Sequence, residues 1–151
     1  MDKQKLHMEF PVKGGNFSEA GEAASKVKNV MKLLGMPYEI IRRVAIASYE
    51  AEMNIVAYAA EGKICVDIQP DTIHIRAFDK GPGIEDIEKA MQEGYSTASP
   101  LIREMGFGAG MGLPNIKRAA DWMRVESKVG EGTELQAKFY LNGGKNGGKQ
   151  D

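Results

Sequence analysis

The sequence predicts a two-layer α/β sandwich. Runs of period-2 hydrophobicity come in pairs joined by tight turns, as antiparallel hairpins do. The amphipathic helical runs are segregated from them. A doubly wound fold would need strict strand–helix alternation with parallel strands. The order here is strand, two helices, two strands, helix, loop, helix, two strands. At 151 residues the chain is one domain, large enough for one real core.

Leu6, Met8 and Phe10 alternate with His7 and Glu9, which predicts a short half-buried strand. Phe17, Ala20, Ala24, Val27, Met31 and Leu34 fall three or four apart, a helix that ends at Gly35 and that Asn16 or Ser18 is placed to cap. After Met36-Pro37 a second helix runs to about Ala60. Its stripe is Ile40, Val44, Ser48, Ala51, Ile55 and Ala59, with Gly62 as its stop. Ile64, Val66 and Ile68 then alternate with Cys65, Asp67 and Gln69. A Pro70-Asp71 turn leads into Ile73, Ile75 and Ala77.

Residues 84–93 read as a short helix and 94–110 as a mobile loop rich in small residues. Leu113, Ile116, Ala120 and Met123 predict a third amphipathic helix with Pro114 in its first turn and Trp122 packing beside its stripe. Val125 to Val129 and Thr133 to Leu141 close the domain as a hairpin around Gly130-Glu131-Gly132. The domain therefore spans 1–141, and the Gly-rich polar tail 142–151 is expected to be disordered.

Composition excludes several classes of function. Lys plus Arg total 20 against 21 Asp plus Glu, so no strong positive field favours nucleic acid or an anionic membrane. Cys65 is the only cysteine, which rules out an intrachain disulfide; its strand setting suits a structural thiol in a reducing compartment. No apolar run is long enough to span a membrane, and MDKQKLHMEF lacks the apolar stretch of a signal peptide. A soluble cytoplasmic protein is the expectation. His7 and His74 fall on the polar phases of their strands and read as surface residues. Of the nine methionines, Met31 and Met123 fit core stripes.

Four short stretches carry candidate chemistry. In "YEAEMNIVAYA", Glu50 and Asn54 stand one above the other on the second helix, about 100° round from its buried seam. Alone, such a pair reads as a solvated face, although Asn is a poor mid-helix residue. In "FDKGPGIEDI", a strand delivers Asp79 at its end, and Gly81 and Gly83 let a flat ring approach the backbone. Alone, this is an ordinary turn before a helix. In "GFGAGMGLPNIKRAAD", Gly106, Gly108, Gly110 and Gly112 expose backbone N–H groups ahead of a helix N-terminus, where phosphates bind well. No Lys-Ser or Lys-Thr follows, so this is not a Walker-type P-loop. Thr133 in "VGEGTEL" alone is only a good strand former.

Together, in this order, these elements resemble the GHKL (Bergerat-fold) ATPases, and within them the small serine kinases of bacterial partner-switching systems. The resemblance covers about Phe10 to Phe139. It implies a two-layer Bergerat sandwich, with a mixed, mostly antiparallel sheet covered on one face by helices. It also implies roles for individual residues. Glu50 is the base for the attacking hydroxyl, and Asn54 holds Mg²⁺. Asp79 accepts from the adenine amino group of ATP, with Gly81 and Gly83 beside the ring and Thr133 supporting the pocket through a water. Gly106 to Gly112 form the second glycine box, in which Gly108, Gly110 and Gly112 donate N–H groups to the phosphates, and Arg103 stands for the arginine that reaches the γ-phosphate.

The function so implied is an ATP-dependent protein serine/threonine kinase. Its substrate is a small antagonist protein, its regulatory target a sigma factor or a phosphatase, and a homodimer is compatible with it. The rival expectation is an ATP-gated binding module with little catalysis, and retention of Glu50 favours the enzyme. The histidine-kinase branch is disfavoured, because its dimerisation helix pair is not evident.

Overall fold

In a computed structural model of the protein, residues 5–92 and 112–141 are described. The alternation seen from Leu6 continues through Val12, so the first strand, β1, runs Leu6–Lys13. Helices α1 (Glu22–Leu33) and α2 (Tyr38–Tyr58) follow, then the hairpin β2 (Glu61–Ile68) and β3 (Thr72–Lys80). A one-turn helix α3 (Ile87–Ala90), helix α4 (Gly112–Ala119) and the hairpin β4 (Trp122–Lys128) and β5 (Gly132–Tyr140) complete the order. The strands form one sheet in the order β1-β2-β3-β5-β4, and all four pairings are antiparallel.

Register sorts each strand's residues onto two faces. Met8, Val66, Ile75, Ala137 and Met123 form one row on the inner face, where Val66, Ile75 and Ala137 are fully buried. Val44, Ala51 and Ile55 of α2 and Val27 and Met31 of α1 belong to the same core. The next row, His7, Asp67, His74, Lys138 and Trp122, lies on the outer face. The two-layer sandwich is therefore built as the sequence predicts, with helices on one face only among the described residues, and the sheet expected to be mixed is antiparallel throughout its described pairings. Both histidines take the polar phase: His7 is exposed, and the half-buried His74 pairs with Gln136 at 2.9 Å.

Four element boundaries differ from the sequence reading. The helix expected from Phe17 is broken: Phe17–Glu19 is a 3-10 turn, and α1 starts only after Gly21, whose φ of 100° no helix accommodates. Neither Asn16 nor Ser18 caps α1. Its N-terminus is capped instead by Glu52 of α2, whose carboxylate accepts from the N–H groups of Gly21 (3.0 Å), Ala23 (3.1 Å) and Ala24 (3.0 Å). Gly62 does not terminate α2; it lies inside β2 opposite Asp79, where a Cβ would stand 2.3 Å from the Phe78 carbonyl oxygen. The helix expected over 84–93 is confined, among the described residues, to Ile87–Ala90, and the Asp86 side chain caps it.

The third amphipathic helix also ends early, at Ala119. There the Arg43 guanidinium takes the Ala119 carbonyl (2.8 Å) and pairs with Asp121 (3.0 Å), while Asp121 bonds Tyr140 N–H and Lys138 C=O of the sheet. Met123 is thereby an inward residue of β4. Trp122 sits on the outer face, where the Lys138 ammonium lies 4.6 Å from its ring centroid.

Glu52 is only 3% exposed, so its three backbone bonds have no solvent substitute. Glu52→Ala is expected to destabilise the fold by about 3 kcal/mol, because buried N–H groups are left unpaired. In thermal unfolding that is a drop on the order of 10 °C. Glu52→Gln, which keeps an acceptor oxygen, should lose clearly less. Equal melting of Glu52→Ala and wild type would show the cap to be energetically idle.

Candidate functional site

Helical spacing puts Glu50 and Asn54 one turn apart on α2, both half-buried. The first residue of α4 closes against them. A Cβ on Gly112 would lie 3.1 Å from Asn54 Oδ1 and 3.5 Å from Glu50 Oε1, so glycine is what allows so close an approach. One helical turn on, the Asn115 amide donates to Glu50 Oε2 at 2.9 Å, and Arg118 donates to Asn115 Oδ1 at 2.5 Å. Glu50 is therefore held by one oxygen, with the other turned towards Gly112. A carboxylate fixed in this way can take a proton from a group beside it, and the Asn54 amide oxygen can hold a water or a hard cation.

A second cluster forms where β3 ends. Asp79 occupies the inward phase, level with Gly62 on one side and Thr133 on the other. Thr133 N–H donates to Asp79 Oδ1 at 3.2 Å. Half-burial pushes the Asp79 carboxyl above the usual carboxylate range, and the Thr133 N–H opposes that shift. Gly81 lies between Ala59, just beyond α2, and Asp79: its Cβ would stand 3.0 Å from Ala59 Cα and 3.2 Å from Asp79 Oδ1. Gly83 has a φ of 78° and abuts the β4–β5 turn, where a Cβ would meet the Lys128 carbonyl oxygen at 2.4 Å.

Ser127 ties these segments together. Its hydroxyl accepts from Ile84 N–H (2.7 Å), donates to Gly132 C=O (3.1 Å) and shares a hydrogen bond with the Thr133 hydroxyl (2.8 Å). The result is a half-buried carboxylate among closely packed main-chain segments, able to accept a hydrogen bond from an amino group.

The structure thus brings together Glu50, Asn54 and Gly112, and separately Asp79, Gly81, Gly83 and Thr133. Arg103, Gly106, Gly108 and Gly110 lie outside the described residues, as does the tail 142–151. Sequence reasoning passed over Asn115 and Ser127. For Ser127 a signal existed, since counting back across the Gly130–Gly132 turn places it opposite Thr133. Asn115 offered none, because nothing in "GLPNIK" says that its amide meets α2. No helix among the described residues is long and apolar enough to cross a membrane.

Comparison with known proteins adds an independent line. A family model described as the histidine kinase-like ATPase domain matches residues 17–139. The chain is 40% identical over 118 residues to the serine/threonine-protein kinase RsbT of Bacillus subtilis, covering 76% of this chain and 83% of that one. It is 32% identical over 148 residues to an anti-sigma F factor of Clostridium acetobutylicum, covering 93% and 98%. An anti-sigma F factor of a Thermoanaerobacter species is 35% identical over 112 residues, covering 71% and 75%.

Proposed function

The chain belongs to the histidine kinase-like ATPase family, and from that premise we propose that it is an ATP-dependent serine/threonine protein kinase of a partner-switching system. The observation that carries this reading is Glu50, fixed by Asn115 beside Asn54 and the first residue of α4. A pure binding module has no need of an oriented carboxylate at that point. ATP fits the two clusters. Asp79, with Gly81, Gly83 and Thr133 around it, takes the adenine end, and Gly112, close against Asn54 and Glu50, stands at the phosphate end. Asn54 offers an oxygen donor of the kind Mg²⁺ prefers. When bound, Mg-ATP supplies the γ-phosphoryl group with its charge partly neutralised.

The chain's own contribution is positional. Glu50 accepts the proton of the partner's serine or threonine hydroxyl as that oxygen attacks the γ-phosphorus. The bond to the β-phosphate oxygen breaks and ADP leaves. Asn115 keeps the Glu50 carboxylate aimed throughout. The acceptor is a small antagonist protein. The regulatory target, a sigma factor or a phosphatase, is held in a nucleotide-dependent way.

The test is to incubate the chain with Mg-ATP and the small candidate antagonists encoded beside its gene, then map the phosphosite. One phosphorylated serine or threonine is the expected result. A stable ATP-dependent complex with no transfer over hours would overturn the kinase reading and leave a nucleotide-gated switch.

A further inference from the structure

On the outer face of the sheet, opposite the described helices, β1 and β2 bring four donor side chains into a square. His7 and Glu9 stand two apart on β1, and register sets them directly across from Asp67 and Cys65 on β2. Ring, carboxylate and thiol donor atoms of His7, Glu9 and Cys65 all lie within 4.8 Å of one another. In tetrahedral zinc sites the ligand atoms stand about 3.3–3.8 Å apart, given the usual bond lengths. His7 and Glu9 are exposed, so their side chains have room to adjust toward that spacing.

The imidazole is flanked by carboxylate oxygen on both sides. Nδ1 lies 2.5 Å from Asp67 Oδ1, and Nε2 lies 2.9 Å from Glu9 Oε2. A neutral ring has one N–H to give. If Nδ1–H goes to Asp67, the Nε2 lone pair faces Glu9 until a proton or a metal ion stands between them. Asp67 is itself fixed, because its other oxygen accepts from Arg76 at 3.1 Å. Carboxylate, histidine and metal in line is the usual way a metal-binding imidazole is oriented.

We infer that His7 Nε2, Glu9 and Cys65 form a site for a borderline-soft divalent ion of the zinc class, with Asp67 orienting His7 from behind. Thiolate and imidazole donors suit Zn²⁺ and Co²⁺ and are foreign to Mg²⁺, so the ion is distinct from the one that accompanies ATP. Binding releases the Cys65 thiol proton and leaves one coordination position to water. Two cations face the square. Arg76 is neutralised by Asp67, and Lys63, 3.9 Å from Glu9 and half exposed, is free to swing outward. Because β1 is the edge strand, the ion reaches the site from solvent and fastens that strand to β2. The site lies apart from Glu50 and Asp79 and does not depend on the kinase reading.

The experiment titrates the full untagged chain with Co²⁺ and follows its absorption spectrum. One equivalent is expected to produce a thiolate-to-cobalt charge-transfer band together with tetrahedral d–d bands. Zn²⁺ should abolish both, and excess Mg²⁺ should leave them unchanged. Cys65→Ser should remove the charge-transfer band, and His7→Ala should weaken binding at least as much as Asp67→Asn. For Asp67→Asn a 10–100-fold loss of affinity is expected with the band retained, as for other groups that orient a ligand (about that range). Because Cys65 is buried, the exposed His7 variant carries the test if Cys65→Ser fails to fold. Absence of the charge-transfer band in wild type, or equal Co²⁺ affinity in His7→Ala and wild type, would overturn the site and leave His7 as a protonated surface ion pair.

Discussion

Glu50→Gln is expected to slow phosphate transfer to the partner protein by about 10²–10⁴-fold, the usual contribution of a positioned base. Glutamine keeps the length of the side chain and an oxygen that can accept from the Asn115 amide, now 2.9 Å from Glu50. Geometry around Gly112 and Asn54 should therefore persist, and Mg-ATP should bind close to normally. What is lost is the ability to take a proton. Single-turnover transfer measured beside calorimetric ATP binding separates the two effects. Transfer at the wild-type rate with binding intact would take the base role away from Glu50.

A second large effect is expected at the other end of the site. Asp79→Asn should lower ATP affinity about tenfold or more, because a hydrogen bond to a charged acceptor is worth roughly 1.5–3 kcal/mol. It should also blunt discrimination against GTP. Burial raises the Asp79 carboxyl above its ordinary value, so the folded chain holds this proton more tightly than the unfolded chain does. Its contribution to stability is thus fully present below the ordinary carboxylate range and is lost as pH rises through the raised value. At neutral pH the ionised, half-buried group is a cost that asparagine removes. The ligand-free variant should therefore melt above wild type at pH 7 while binding ATP more weakly. In wild type, ATP affinity should fall as pH drops through the raised Asp79 value, and in the variant that dependence should disappear. Unchanged ATP affinity in Asp79→Asn would remove this residue from the adenine end.

The sheet was legible in the sequence because its inner rows alternate without interruption. Ile64, Val66, Ile68 and Ile73, Ile75, Ala77 are buried as period-2 reading requires. The boundaries were less so where two periods coincide. Met123 satisfies a helical stripe from Leu113 and also the inward phase of β4, and only the Arg43 and Asp121 contacts decide for the strand. Gly62 read as a helix stop because glycine usually signals chain reversal, yet here it admits a close crossing by β3. Glu50, Asn54 and Asp79 were legible as an ordered pattern. Glu52 was not, because a glutamate on a helix is ordinarily solvated and its partners lie about thirty positions upstream, at Gly21, Ala23 and Ala24. The same holds for Asn115, whose contact to Glu50 joins helices far apart in the chain.

Around Asp79, carbonyls and Cα atoms of neighbouring segments occupy the space that side chains at Gly62, Gly83 and Gly132 would need. A wall made of main chain has unusual mutational properties. A single methyl group at Gly62 or Gly132 would collide with a backbone oxygen within 2.3 Å. In a library of substitutions these glycines are expected to admit no replacement, because the obstacle is backbone and not a side chain that could move aside.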